Sequence, residues 1–138
     1  MCIRDSGIAD NLVIETEPNS DLIAGEKHVI SSWNLVEETN KIPNVVGTEF
    51  GIAYKLNGFT DEEIITIEEI IIFPGKGLTN PNTAFSTKIE TESLEIFSEE
   101  DQFFSYSLDY DWEAKSGEWI FQVKKDKVLL LEKKFYVQ

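Results

Sequence analysis

The chain has 138 residues, with 26 acidic against 12 basic side chains, a net charge of −14 and one cysteine. That length supports a hydrophobic core without help from a disulfide or a metal. So acidic a surface repels phosphate backbones and anionic bilayers, and the apolar runs fall far short of the roughly 18 residues a membrane span needs, so nucleic-acid partners and membrane insertion are excluded and a soluble chain is expected.

First in chain order is the hexamer MCIRDS, which holds the only Met, the only Cys and the only Arg. From Gly7 to Gln138 the chain is rich in Ile, Lys, Glu, Asn and Phe and has no arginine, the bias of an AT-rich genome. The hexamer does not share that bias and resembles the translated tail of a sequencing adapter. It is therefore read as a non-native scar outside the fold, with residues 7–138 as a single domain. On this reading Cys2 has no role, the native start is missing, and the lack of a signal peptide leaves secretion open.

Turn clusters then recur every ten to fifteen residues or so: Pro18 to Asp21, Asn40 to Asn44, Asn57-Gly58, Pro74 to Asn82, Ser98 to Asp101, Ser116-Gly117 and Lys125-Asp126. That spacing predicts many strands. The first two run from Leu12 to Glu17 and from Val29 to Val36 around Trp33. Next, Phe50, Ile52, Tyr54 and Leu56 alternate with smaller or polar residues, the period of a half-buried strand. Glu62 to Phe73 (EEIITIEEIIIF) is isoleucine-rich, and β-branched side chains favour a pleated surface. Its alternation slips at Glu68-Glu69, where a bulge would let Ile65, Ile67, Ile70 and Ile72 share one face. In FSYSLDYDWE, Phe104, Tyr106, Leu108, Tyr110 and Trp112 fall opposite Asp109, Asp111 and Glu113. Trp119, Phe121 and Val123 alternate again, and a last strand runs from Val128 to Val137. These three segments read as two consecutive hairpins. Such a set without helices closes as a sandwich or barrel.

Four stretches, IPNVVGTEFGIAYKLNG (Ile42 to Gly58), IIFPGKGLTNP (Ile71 to Pro81), YSLDYDWEAKSGEWIFQV (Tyr106 to Val123) and EKKFYV (Glu132 to Val137), together resemble a bacterial family of small single-domain proteins of unknown function. The shared pattern is Ile-Pro before a Gly-x-x-Phe-Gly strand, a Pro after an Ile-rich strand, and a Gly-x-Trp hairpin leading to a Phe-x-Val end. The resemblance implies an all-β, immunoglobulin-like antiparallel β-sandwich of about seven to nine strands with no assigned activity, and it carries over no catalytic or binding residue.

Catalytic constellations are sparse. His28 is the only histidine, so no triad or zinc site can be assembled around it, and it is expected at a strand end. Gly75-Lys76-Gly77 lacks the spacing and helix of a phosphate loop. Asp109, Asp111 and Glu113 share a predicted strand face about 7 Å apart, but water on that face keeps carboxylates ionised, with Gln122 and Lys124 as cross-strand partners. They remain a weak metal candidate for Ca²⁺, with Glu99, Glu100 and Asp101 as conceivable loop donors. Trp33, Trp112 and Trp119 are expected in the core, with Trp112 the best placed to face solvent. The chain is thus expected to be no enzyme, to need no cofactor, and to act as a non-catalytic interaction or structural module with an unknown protein partner. The alternative is an extracytoplasmic domain that binds a glycan or Ca²⁺ through loops at one end of the sandwich.

Overall fold

The computed structural model describes residues 2–10, 12–18, 23, 26–58 and 64–138, with the side chains at 2, 12–18 and 26–32 outside the description. Among the described residues the strands are β1 Cys2–Ala9, β2 Leu12–Pro18, β3 Glu26–Ser32, β4 Leu35–Glu38, β5 Lys41–Ile42, β6 Glu49–Lys55 and β7 Ile64–Ile72. They continue with β8 Leu78–Thr79, β9 Ser86–Thr87, β10 Ile89–Phe97, β11 Asp101–Ser107, β12 Gly117–Lys125 and β13 Val128–Val137, and a single 3₁₀ turn, Asp111–Glu113, precedes β12. His28 lies within β3, opposite Thr16 of β2; its side chain, like Asn19 to Asp21, Glu62 and Glu63, lies outside the described residues.

Two sheets, ordered β11-β6-β1-β4 and β10-β7-β12-β13-β5, form the sandwich, while β2-β3 and β8-β9 pair separately. Their neighbours run antiparallel except β5, which lies parallel to the end of β13. Strands β1, β6 and β11 occupy the places of immunoglobulin strands A, B and E, and β7, β12 and β13 those of C, F and G. The all-β, immunoglobulin-like sandwich is therefore the observed fold, at the upper end of the expected strand number.

Alternation on β6, β11 and β12 aims large aromatics between the sheets. Phe50 of β6 meets Trp119 at 5.4 Å, Phe121 at 5.6 Å and Phe135 at 5.3 Å between ring centroids, and Tyr106 of β11 meets Trp119 at 5.2 Å. Trp119, Phe50, Phe121 and Phe135 are all fully buried. Each such pair adds about 0.5–1.5 kcal/mol beyond the area it hides.

Three expectations need correction. The register of β7 against β10 and β12 has no shift, so there is no bulge at Glu68-Glu69. Ile65, Ile67, Ile71 and Phe73 face the core, Ile72 lies outside that cluster, and Glu69 takes an inward place. It can do so because the Tyr54 hydroxyl donates to its Oε2 at 2.6 Å. Burial and the adjacent carboxylate push the Tyr54 phenol far above its ordinary pKa and keep it a donor. Second, β11 stops at Ser107 and belongs to the sheet opposite β12, so the segment between them is a crossing connection and not a hairpin. Third, the partner of Gln122 is Glu132, at 2.8 Å across β12 and β13, and not an aspartate of the crossing segment.

The hexamer, expected outside the fold, is paired within it. Cys2, Ile3, Asp5 and Ser6 lie opposite Lys55, Tyr54, Ala53 and Ile52 of β6, and Ile3 packs against the core. Strand pairing runs through the backbone and is indifferent to side-chain origin; we propose that a non-native hexamer occupies this slot. Where β1 continues, Gly7 faces Gly51 across the ladder. A Cβ on Gly7, at φ +146°, would fall 2.0 Å from the Glu37 carbonyl oxygen of β4, and one on Gly51 2.2 Å from the Phe104 carbonyl oxygen of β11. Both neighbours approach too closely for any side chain.

Deleting Met1 to Ser6 leaves Ile52 to Lys55 of β6 without a neighbour on the β1 side and is expected to lower Tm by about 5 °C or more, since about 1–2 kcal/mol moves a domain of this size that far; an unchanged melting curve would show that this part of β1 does not pair. Trp119→Ala should cost about 3–5 kcal/mol in urea unfolding, and a near-neutral result would contradict the aromatic bridge between the sheets.

Candidate functional site

The end of the sandwich beyond Pro74 gathers the loops with the most side-chain chemistry. There the segment from Leu108 to Ser116 crosses from β11 to β12. Its entry is tied to the neighbouring loop, because the Gly47 N–H donates to the Leu108 carbonyl at 2.7 Å and the Leu108 N–H to that of Thr48 at 2.8 Å. Its exit is tied as well. The Trp119 indole N–H donates to the Lys115 carbonyl at 2.9 Å, and the Lys115 ammonium to the Gly77 carbonyl at 2.9 Å.

Between those ties, Glu113 is the anchor. Its side chain is 1% exposed, its Oε2 accepts the Tyr106 hydroxyl, and its Oε1 accepts the Tyr110 N–H at 3.1 Å. Burial pushes its pKa up to about 7; the Tyr106 hydrogen bond pulls the other way, and the Asp109 carboxylate raises it further. Burial and the Glu113 carboxylate drive the Tyr106 phenol far above its usual range. A second acid lies close by: Glu90 at the start of β10 accepts the Ile23 N–H at 3.0 Å. Burial pushes it up to about 7 despite that donor, with Glu92 adding to the rise. Ile23 is thereby held on both sides, because the buried Asn80 amide donates to its carbonyl at 3.1 Å.

The predicted acidic face therefore does not exist as expected. Asp109 and Asp111 stay exposed on the loop, the first accepting the Ser107 hydroxyl at 2.7 Å, while Glu113 turns into the core. Glu99 and Glu100 precede β11 and Asp101 opens it, a strand length of roughly 20 Å away, and Asp101 pairs there with Arg4. Among the described residues no three Asp, Glu, His or Cys side chains come together as a metal site.

Of the tryptophans, Trp119 is fully buried as expected. Trp33 is half-buried, stacked on Phe103 at 6.0 Å, with its indole nitrogen buried and unpartnered among the described residues. Trp112 is half-buried and stacks on Tyr110 at 5.8 Å with the rings 6° from parallel. Tyr110 itself is 46% exposed. Sequence reasoning missed Glu113 as an anchor, the half-buried Glu90 and the exposure of Tyr110. One signal was present: aspartates at 109 and 111 are poor strand formers and mark where β11 gives way.

The family described as a domain of unknown function, DUF3859, matches residues 4–137. The chain belongs to that family. DUF3859 carries no activity in its description. Among solved structures, the chain is similar to an immunoglobulin-like protein from Pseudomonas aeruginosa, 19% identical over 97% of this chain and 90% of that one, with a TM-score of 0.62; at that identity the likeness concerns the fold. No curated protein matches this DUF3859 chain. Among its described residues no helix is long and apolar enough to cross a membrane.

Buried Glu113 and half-buried Glu90 make the folded state sensitive to pH. Their folded pKa values, about 7, stand above the ordinary carboxyl value of 4.5. Between those limits the unfolded chain releases protons that the folded chain keeps, so stability falls as pH rises through the window and the full cost is present above it. Protonated Glu113 keeps a carbonyl oxygen to accept the Tyr106 hydroxyl, and a glutamine amide oxygen can do the same without a charge. Glu113→Gln is therefore expected to narrow the Tm gap between pH 5.5 and pH 8 at constant ionic strength, by raising the value at pH 8. An undiminished gap would show that Glu113 is ionised throughout.

Proposed function

We propose that this DUF3859 chain is a non-catalytic interaction module that engages its partner through the segment between β11 and β12. One observation carries the reading: the segment is pinned from beneath at Leu108, Glu113 and Lys115 while exposed Tyr110 stands stacked on half-buried Trp112, which itself packs against the core. A pre-ordered loop loses little entropy on binding, and Tyr and Trp are enriched among the side chains that anchor interfaces. The raised carboxyls support a structural and not a catalytic role. Glu113 is sealed beneath the loop and held by two donors, so neither of its oxygens faces a position a substrate could reach.

A glycan is the second reading, and the same aromatic stack beside exposed Asp109 and Asp111 favours it, because sugar rings settle on aromatic faces flanked by hydrogen-bonding carboxylates.

Immobilised protein and its Tyr110→Ala/Trp112→Ala variant, matched in Tm within about 2 °C, would be exposed to bacterial lysate and to a glycan array. Capture of a defined protein that drops at least tenfold in the variant is the expected result. Glycan binding lost in the variant would move the reading to sugars. Equal capture by both proteins would remove the loop from the function, and hydrolytic turnover abolished by Glu113→Gln would overturn the non-catalytic reading.

A further inference from the structure

On the outer face of the five-stranded sheet, Ile89, Ile72 and Ile120 stand side by side across β10, β7 and β12. Ile89 is 51% exposed and the other two are half-buried. Toward the Pro74 end this belt enters a cleft of about 360 Å³ whose floor includes Ile72 and Ile120 and whose rim carries Lys88, Lys115, Ser116 and Glu118. The rim holds two ammonium groups against one carboxylate in a chain of net charge −14. Gly75 and Gly117 contribute no side chains to fill it.

The polar groups are arranged for an anion. The Lys115 ammonium is steadied by the Gly77 carbonyl and stands over Gly75, 3.4 Å from where a Cβ would be. The Ser116 hydroxyl accepts the Asn44 amide at 2.9 Å, which leaves its own proton to donate outward. Among the described residues the Lys88 ammonium is engaged in no hydrogen bond or ion pair and is exposed. Two ammonium donors and a hydroxyl suit a carboxylate, whose hydrogen bonds to charged donors are about twice as strong as neutral ones.

We propose that this cleft binds the C-terminal end of a partner polypeptide, its free carboxylate on Lys88, Lys115 and Ser116 and its last apolar side chains on the belt of Ile72, Ile89 and Ile120. The cleft is open, at the small end of the range that encloses whole ligands, so a free small anion would leave the isoleucines in water. A polypeptide end covers both parts at once. Its terminal carboxylate lies one residue from its own apolar side chain, which matches a lysine rim adjoining an isoleucine floor, and capture of a chain terminus is a recurring recognition mode. The site is separate from the Tyr110–Trp112 stack and does not depend on that reading.

The test uses the full chain labelled with ¹⁵N and the acetylated peptide Gly-Ser-Gly-Val-Ile-Leu, with a free carboxylate or as its C-terminal amide. The acid is expected to shift the amide signals of Gly75, Ser116, Gly117 and Ile120 saturably, and the amide to bind at least tenfold more weakly. Lys88→Gln, which removes no contact within the fold, should weaken the acid at least fivefold, as should Ile120→Ser, while Lys55→Gln at the opposite end should change nothing. Acid and amide titrating alike, or shifts confined to other residues, would overturn the proposal. Octanoate moving the same signals as strongly as the peptide would replace the polypeptide with a small aliphatic carboxylate and overturn it equally.

Discussion

The two sheets are held face to face by one aromatic contact set. Phe50 reaches across from β6 and touches Trp119, Phe121 and Phe135 at once, and Tyr106 and Phe73 close the cluster around the indole of Trp119. Antibody domains place a disulfide between strands B and F at this level. Here the chain has a single cysteine, Cys2, in β1, and rings occupy that central position instead. Edge-to-face geometry fixes their orientation as well as their distance, so the cluster sets how β11 and β12 stand relative to each other. Everything the connecting segment presents follows from that spacing.

The same cluster explains why acids are tolerated inside. Tyr106 belongs to the aromatic set and also points its hydroxyl at Glu113, as Tyr54 points its own at Glu69. Each phenol hides a ring in the core and delivers a donor to its margin, so a carboxyl that would otherwise be destabilising becomes a positioned acceptor. Glu90 receives a backbone N–H from Ile23 in the same manner. The result is a polar shell at one end of the sandwich that ties together three separate stretches, around Ile23, Asn80 and Glu113.

Legibility varied from element to element for physical reasons. β12 was readable because it buries every second residue on one face, so period and burial coincide; β6 is buried on both faces, and its period shows because large Phe50, Ile52 and Tyr54 alternate with small Gly51 and Ala53. β7 was read as a strand, but its bulge was inferred on the assumption that glutamate must face water; Glu69 faces inward because Tyr54, fifteen positions away, answers it. β11 was extended too far because Tyr110 and Trp112 continue the alternation although the backbone has already turned. β10, Ile89–Phe97, was not singled out, since its three glutamates and scattered apolar residues blur the period. The hexamer was set aside on composition, whereas pairing responds to an open ladder and not to codon bias.

By itself the sequence determined the fold class and the identity of the central rings, because alternation and aromatic spacing are properties of neighbouring residues. It also limited the chain to one histidine and one cysteine. Only the tertiary structure decided which carboxyls are buried, which aromatics are exposed and which lysines share a cleft. Those are relations that chain neighbours do not set: Lys88 and Lys115 line one cleft because β10 and β12 flank β7, and Tyr106 and Glu113 meet because the chain turns out of β11 between them. A side chain's ionisation and exposure depend on what lies within a few ångströms of it, and for these residues that surrounding is supplied by other strands.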